Sequence, residues 1–245
     1  WRDNTNRNAI DGFLRTDFDL SDKTKATLRA QFIDIDQGLV SLLPIDSEGN
    51  LLEGIERTTD FGVPGGVSEN QSFQLSGSLT HLFSNDLRVE VLPYFRVTDR
   101  ILRNDATFID GIDTDNQTLD RFPFEPVLKE TIFGVEPRFT FVPASLDGKL
   151  DVTIGGMFET NSGEADSYSV TTDGSGDFGV LPINYVTGEQ NLSNLQRTQT
   201  RDGEYESNIY AAYLQTIIKP VDRLSITAGL RYDYTDRSVT DPLRT

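Results

Sequence analysis

Apolar and polar residues alternate with a period of two along most of the 245-residue chain. Near its end, Leu224, Ile226, Ala228, Leu230, Tyr232 and Tyr234 share one parity, and Ser225, Thr227, Gly229, Arg231 and Asp233 share the other. A helix would scatter both sets around its axis, whereas a strand puts them on opposite faces. The same separation recurs upstream. Leu14, Thr16, Phe18 and Leu20 oppose Arg15, Asp17 and Asp19, and Ala26, Leu28, Ala30 and Phe32 oppose Thr27, Arg29 and Gln31. Phe73, Leu75 and Leu79 oppose Gln74, Ser76 and Ser78, and Leu87, Val89, Val91, Pro93 and Phe95 oppose Arg88, Glu90 and Arg96. Phe133, Val135, Pro137, Phe139 and Phe141 oppose Glu136, Arg138 and Thr140, and Leu150, Val152, Ile154 and Phe158 oppose Asp151, Thr153 and Glu159. The segment 207–218 is strand-like with both faces partly apolar. The pattern predicts about eight strands, each near or above the 9–11 residues that cross a bilayer, and no amphipathic helix. Soluble strands are nearer five or six residues.

The connections alternate in length. Short turns rich in Asn, Asp, Gly and Pro are expected at Ser21–Lys23, Ser84–Asp86, Pro143–Gly148 and Lys219–Arg223. Long polar loops are expected at Gln37–Asn70, Ile101–Leu128 and Thr160–Glu204. Compact soluble domains seldom carry structureless loops of that length. Short turns on one side and long loops on the other are the asymmetry of an outer-membrane barrel, with the turns periplasmic and the loops extracellular. The fold class is therefore all-β, an antiparallel transmembrane β-barrel. By the same reckoning both chain ends lie on the long-loop side, so residues 1–245 are expected to be an internal part of a larger barrel.

Composition changes this picture little. The formal net charge of −17 argues against a nucleic-acid partner, because phosphate binding needs clustered cations. With no cysteine, disulfides, thiolate metal sites and cysteine nucleophiles are excluded. Mean hydropathy is negative, yet in a barrel only every second residue meets lipid, so hydropathy averages out.

One stretch carries a family resemblance. Tyr210-Ala-Ala-Tyr-Leu-Gln215, then Lys219-Pro-Val-Asp-Arg-Leu224, then Thr227-Ala-Gly-Leu-Arg-Tyr-Asp233 resembles a hairpin frequent in TonB-dependent receptors. Ile154-Gly-Gly-Met-Phe-Glu159, opening a long loop, is similar to the upward strand that precedes it there. The resemblance implies a 22-stranded, plugged barrel in the bacterial outer membrane, of which about eight strands are present here. It also implies TonB-dependent uptake of a ferric siderophore or similar scarce nutrient. The partners so implied are outer-membrane lipid, the TonB complex acting through a plug, and a ferric chelate or other small ligand. Plug, TonB box and C-terminal barrel strands are not recognisable in these residues.

No enzyme is expected, for no Gly-x-Ser-x-Gly, His-Glu-x-x-His or phosphate loop is present. The single histidine, His81, continues an apolar face beside a short turn and lacks the partner that a base or metal site needs. Asp110-Gly-Ile-Asp-Thr-Asp-Asn116 has oxygen ligands in series, yet lacks the Gly and Glu of an EF-hand loop and reads as a solvated acidic loop. Asp173-Gly-Ser-Gly-Asp177 reads as flexible loop. No cofactor or metal site is expected. Ligand contact is expected from Arg57, Arg100, Arg103, Phe108, Arg121, Phe122, Phe124, Tyr168 and Tyr185, since Arg and aromatic groups suit an anionic aromatic chelate. The charged residues of the second face are expected to pair with one another along a wet wall. Phe83, Tyr94, Phe141, Phe158, Tyr232 and Tyr234 are expected at headgroup level. Three alternatives stay open: a passive porin, a small self-contained barrel serving adhesion or structure, and a soluble extracellular β-domain.

Overall fold

The alternating segments fold as strands, and every turn expected to be short is short. The computed structural model describes residues 6–39, 43–104, 109–171, 180–221 and 223–243. In chain order it runs through β1 (Arg7–Ser21), β2 (Thr24–Gly38), β3 (Val67–Leu82), β4 (Leu87–Arg103), β5 (Ile109–Asp113) and β6 (Thr118–Arg121). It continues through β7 (Phe124–Phe141), a 3-10 turn at Ala144–Leu146, β8 (Leu150–Thr171), β9 (Leu181–Asn184), β10 (Gln196–Val221) and β11 (Leu224–Thr240). Eight strands form one antiparallel sheet in the order β1-β2-β3-β4-β7-β8-β10-β11. Strands β5, β6 and β9 form a second, small sheet. No helix among the described residues is long and apolar enough to cross a membrane.

The register joins the apolar parities into one face. Phe32 lies opposite Phe73, and Phe73 opposite Val97. Phe95 lies opposite Phe133, and Val135 opposite Phe158. Phe158 lies opposite Tyr210, and Tyr210 opposite Tyr234. A one-residue slip anywhere would turn this face over, so the pattern itself specifies the register. On β11 the apolar side covers ten steps from Leu224 to Tyr234. That is about 33 Å along the strand and, at a tilt of about 45°, about 23 Å of height, close to the ~25 Å lipid-facing band of such barrels. Above it the same face turns acidic, with Asp34, Glu69, Asp99, Glu164, Glu204 and Asp236 on six strands. His81 sits on the apolar face near the short turns, its Nδ1 2.8 Å from the Thr24 hydroxyl and its ring edge-on to Phe83.

The opposite face is polar, and several of its charges pair. Arg15 meets Asp17 at 2.9 Å, Arg138 meets Glu136 at 2.8 Å and Arg231 meets Asp233 at 2.7 Å. Partners two residues apart on one strand share a face, which is why these pairs form. The Gly-Leu-Arg-Tyr-Asp run thus places an ion pair on one face, and Leu230 and Tyr232 on the other. Arg96 pairs across strands with Glu130 at 3.0 Å.

Three tyrosines on this polar face lie flat over glycines of the neighbouring strand and hydrogen-bond a glutamate one strand further on. Tyr94 covers Gly134 and donates to Glu159. Tyr213 covers Gly155 and donates to Glu136 at 2.6 Å. Tyr205 covers Gly163 and donates to Glu130 at 3.2 Å. A Cβ at any of the three glycines would fall inside the van der Waals shell of the phenol. Tyr94 therefore faces the polar side, not the headgroup level expected for it.

The loops depart most from expectation. Strands β8 and β10 run 22 and 26 residues, so much of Thr160–Glu204 is wall. Above the apolar band both faces are polar, and alternation no longer marks a strand. Among the described residues, what remains of the three long loops packs into a small sheet and an apolar core.

Candidate functional site

The loop end of the sheet carries a cap built from three chain segments: the loop between β2 and β3, the loop between β4 and β7 that holds β5 and β6, and the loop between β8 and β10 that holds β9. Strand β6 pairs with β5 in its own loop and with β9 from the next. Side chains from all three loops close an apolar core. Phe61, Leu119, Ile183 and Tyr185 are buried together, with Leu43, Leu52 and Ile55 packed against them. Val63 and Leu181 form a second cluster beside Leu192 and Leu195. Six of the eight buried apolar side chains among the described residues lie here, the others being Ile132 and Val170 of the wall, because the wall strands present their apolar face outward.

Arg121 stands at the centre of the cap, fully buried. Its Nη1 donates to the carbonyls of Phe61 (2.7 Å) and Gly62 (3.0 Å) from the first loop. Its Nε donates to the Leu181 carbonyl (3.1 Å) and its Nη2 to Gln190 Oε1 (2.8 Å), both from the third. Four of its five N–H donors are thereby used. Burial pushes the guanidinium down to about 10, partly opposed by nearby Asp60, so it stays charged at neutral pH. Arg121 and Tyr185, two of the residues expected to contact ligand, are both buried within the cap.

The other expected residues are spread around the mouth. Arg57 is exposed on the first loop. Arg100 is exposed near the top of β4, on the polar-face parity, and no hydrogen bond or ion pair engages its guanidinium among the described residues. Arg103 is paired with Glu69 at 3.1 Å. Phe122 and Phe124 are half-buried where the cap joins β7. Tyr168 is half-buried beneath the Arg197 guanidinium, 3.4 Å from its ring centroid. Arg197 is also ion-paired to Glu125, whose other oxygen accepts the Asn104 amide at 3.2 Å. Sequence reasoning missed Arg197 and Glu125, which lie 72 residues apart with no local pattern to join them. Phe108 and the Asp173–Asp177 segment lie outside the described residues.

The acidic segment 110–116 makes a turn. Asp113 Oδ1 accepts the Asp115 and Asn116 amides at 3.0 Å, and its Oδ2 accepts the Asn116 side chain at 2.7 Å. No group of three His, Asp or Glu side chains able to hold a metal is found among the described residues. Two grooves mark the polar wall. An upper one of about 480 Å³ lies beside Glu130, Arg201, Tyr205 and Arg237, and a lower one of about 390 Å³ beside Arg88, Glu136, Arg138 and Arg231. Such a wall can hold water, a plug or a polar ligand, and offers no acid–base or nucleophile constellation.

The comparisons agree with this architecture. The ferric citrate transporter FecA superposes with a TM-score of 0.69 at 14% identity, over 99% of this chain and 32% of that one. The ferripyoverdine receptor of Pseudomonas aeruginosa gives 0.78 at 16% identity, over 98% and 32%. The ferric-catecholate import receptor Fiu of E. coli K12 gives 0.72 at 11% identity, over 98% and 36%. The chain thus spans about a third of the length of these receptors, and at such identities the likeness is one of fold. No curated protein matches. The family model described as TonB dependent receptor-like, beta-barrel matches residues 1–245. The chain belongs to that family, whose members are non-enzymatic transport barrels of the bacterial outer membrane.

Proposed function

We propose that these residues are part of a longer barrel of about 22 strands that imports a ferric siderophore or a similarly scarce small ligand. In this reading a plug domain outside residues 1–245 fills the lumen, and the TonB complex drives passage through it. The observation that carries the reading is the family match across all 245 residues, on a sheet with one apolar and one charged face. The cargo is inferred from the receptors named above, which are described as taking up iron chelates. Ligand contact is assigned to Arg57, Arg100, Arg103, Phe108, Phe122, Phe124 and Tyr168, and Arg100 is the first choice because its guanidinium is exposed and engages no partner among the described residues.

Uptake by whole cells tests this. Cells lacking the gene are expected to lose uptake of at least one radio-iron-labelled chelate from a panel of citrate, hydroxamate and catecholate complexes. Loss of TonB should abolish the same uptake, and Arg100→Gln should weaken it about tenfold, the loss of one charge-assisted contact. Unchanged uptake of the whole panel in the deletion strain would remove the iron-chelate reading. Uptake that persists without TonB would point to a passive porin.

A further inference from the structure

Three loops from three different hairpins share one core and one buried cation, and two of them also share a sheet; we infer that they form a single cooperative body with Arg121 as its keystone. The first contribution is covalently distant packing. Phe61 comes from the first loop, Leu119 from the second, and Ile183 and Tyr185 from the third, and none can be buried unless the others are in place. The second is the backbone. Strand β6 pairs with β9 from Thr118↔Asn184 to Arg121↔Leu181, and the Tyr185 amide donates to the Gln117 carbonyl at 2.9 Å. The third is Arg121, which belongs to the second loop and spends its donors on acceptors of the other two.

These links are of the kind that make unfolding all-or-none. Detaching the first loop strips the Arg121 guanidinium of two acceptors while it is still buried. Detaching the third strips it of the other two and breaks the β6–β9 ladder. A buried guanidinium left without acceptors is strongly disfavoured, so no loop leaves alone. Local opening in proteins follows such contiguous units rather than single loops. Lysine in place of Arg121 keeps the charge but presents one compact ammonium, which cannot reproduce the fork that reaches four acceptors.

For an importer the consequence is mechanical. On this side of the mouth, admission of a ligand moves the cap as one body or does not move it at all. The cap behaves this way whichever ligand is carried, so its test needs no ligand.

Hydrogen exchange on the intact receptor in detergent provides that test. At guanidinium concentrations that leave β2, β3 and β7 protected, amides in segments 43–66, 109–121 and 181–190 should converge on one opening isotherm. Arg121→Lys should speed exchange in all three segments together, by tenfold or more, with the wall strands unchanged. Three separate isotherms in the wild-type receptor would overturn the inference. So would an effect of Arg121→Lys confined to β6. If the variant fails to assemble, the wild-type isotherms decide the matter alone.

Discussion

A glycine beneath a tyrosine is a packing joint with a specific energetic signature. At Gly155 an added methyl would collide with the Tyr213 ring, and at Gly134 with that of Tyr94. Gly155→Ala and Gly134→Ala should each cost about 1–3 kcal/mol in denaturant unfolding of the receptor, the usual price of overpacking. Replacing the matching tyrosine by Ala removes the obstacle, so each Gly→Ala should become nearly neutral in that background. Gly163 is different, because its Cβ would also meet the Lys129 carbonyl. Gly163→Ala should therefore stay costly even with Tyr205→Ala, and rescue there would sink this account of the joints. Acid loosens other residues. Asp113 is held below the usual carboxylate range, chiefly by the Asn116 backbone amide, and Asp46 likewise by that of Asn50. A depressed folded-state pKa adds stability that is complete above the unfolded value of about 4 and is lost as pH falls through the folded value. Pepsin nicking of the 113–117 turn should rise as pH falls below the ordinary carboxylate value of about 4, and far less in Asp113→Asn, whose acceptor does not titrate. Equal nicking in both would show that the carboxylate does not hold the turn. The joints and Arg121 were not legible in the sequence: a Tyr and its Gly sit 40 or more positions apart, and one buried arginine looks like any exposed one.

Strands were legible because membrane and lumen impose opposite demands on successive residues. The rule holds from Leu224 to Tyr234, and from Leu150 to Phe158, where one side meets hydrocarbon. It fades above that height, which is why the upper parts of β8 and β10 read as loop. Depth along the strand also ranks substitutions. Ile154 lies opposite Leu214, and Leu214 opposite Leu230, midway up the apolar band. Val89 and Ile226 lie only two residues above the start of β4 and β11, near the periplasmic edge. Arginine at the bilayer midplane costs about 2–4 kcal/mol and near the interface about 0–1. Ile154→Arg should thus impair assembly severely, and Val89→Arg and Ile226→Arg mildly, when the fraction of heat-modifiable barrel in outer membranes is measured. Equal effects at the three sites would mean that the band is placed wrongly. The cap lacked any such periodic signal, since its core residues are drawn singly from three polar stretches.

At the scale of the molecule, the unbalanced feature is the pair of sheet edges. Among the described residues, strand β1 borders only β2, and β11 only β10, so one edge of each carries unpaired backbone N–H and C=O groups. In hydrocarbon each unpaired group costs several kcal/mol, and a sheet survives there only when it closes. Eight strands could in principle close on themselves, as the smallest barrels do. Here β1 and β11 are not paired with each other, and the polar face carries long charged side chains and three tyrosines that a barrel of eight strands has little room to enclose. The isolated 245 residues, refolded in detergent, are therefore expected to give no heat-modifiable monomer. They should aggregate through β1 and β11, as exposed edges do. The full-length receptor under the same conditions should give a compact band that shifts on boiling. A compact, monomeric, heat-modifiable species from the isolated chain would show that β1 and β11 can pair, and the larger barrel would no longer be needed to explain this sheet.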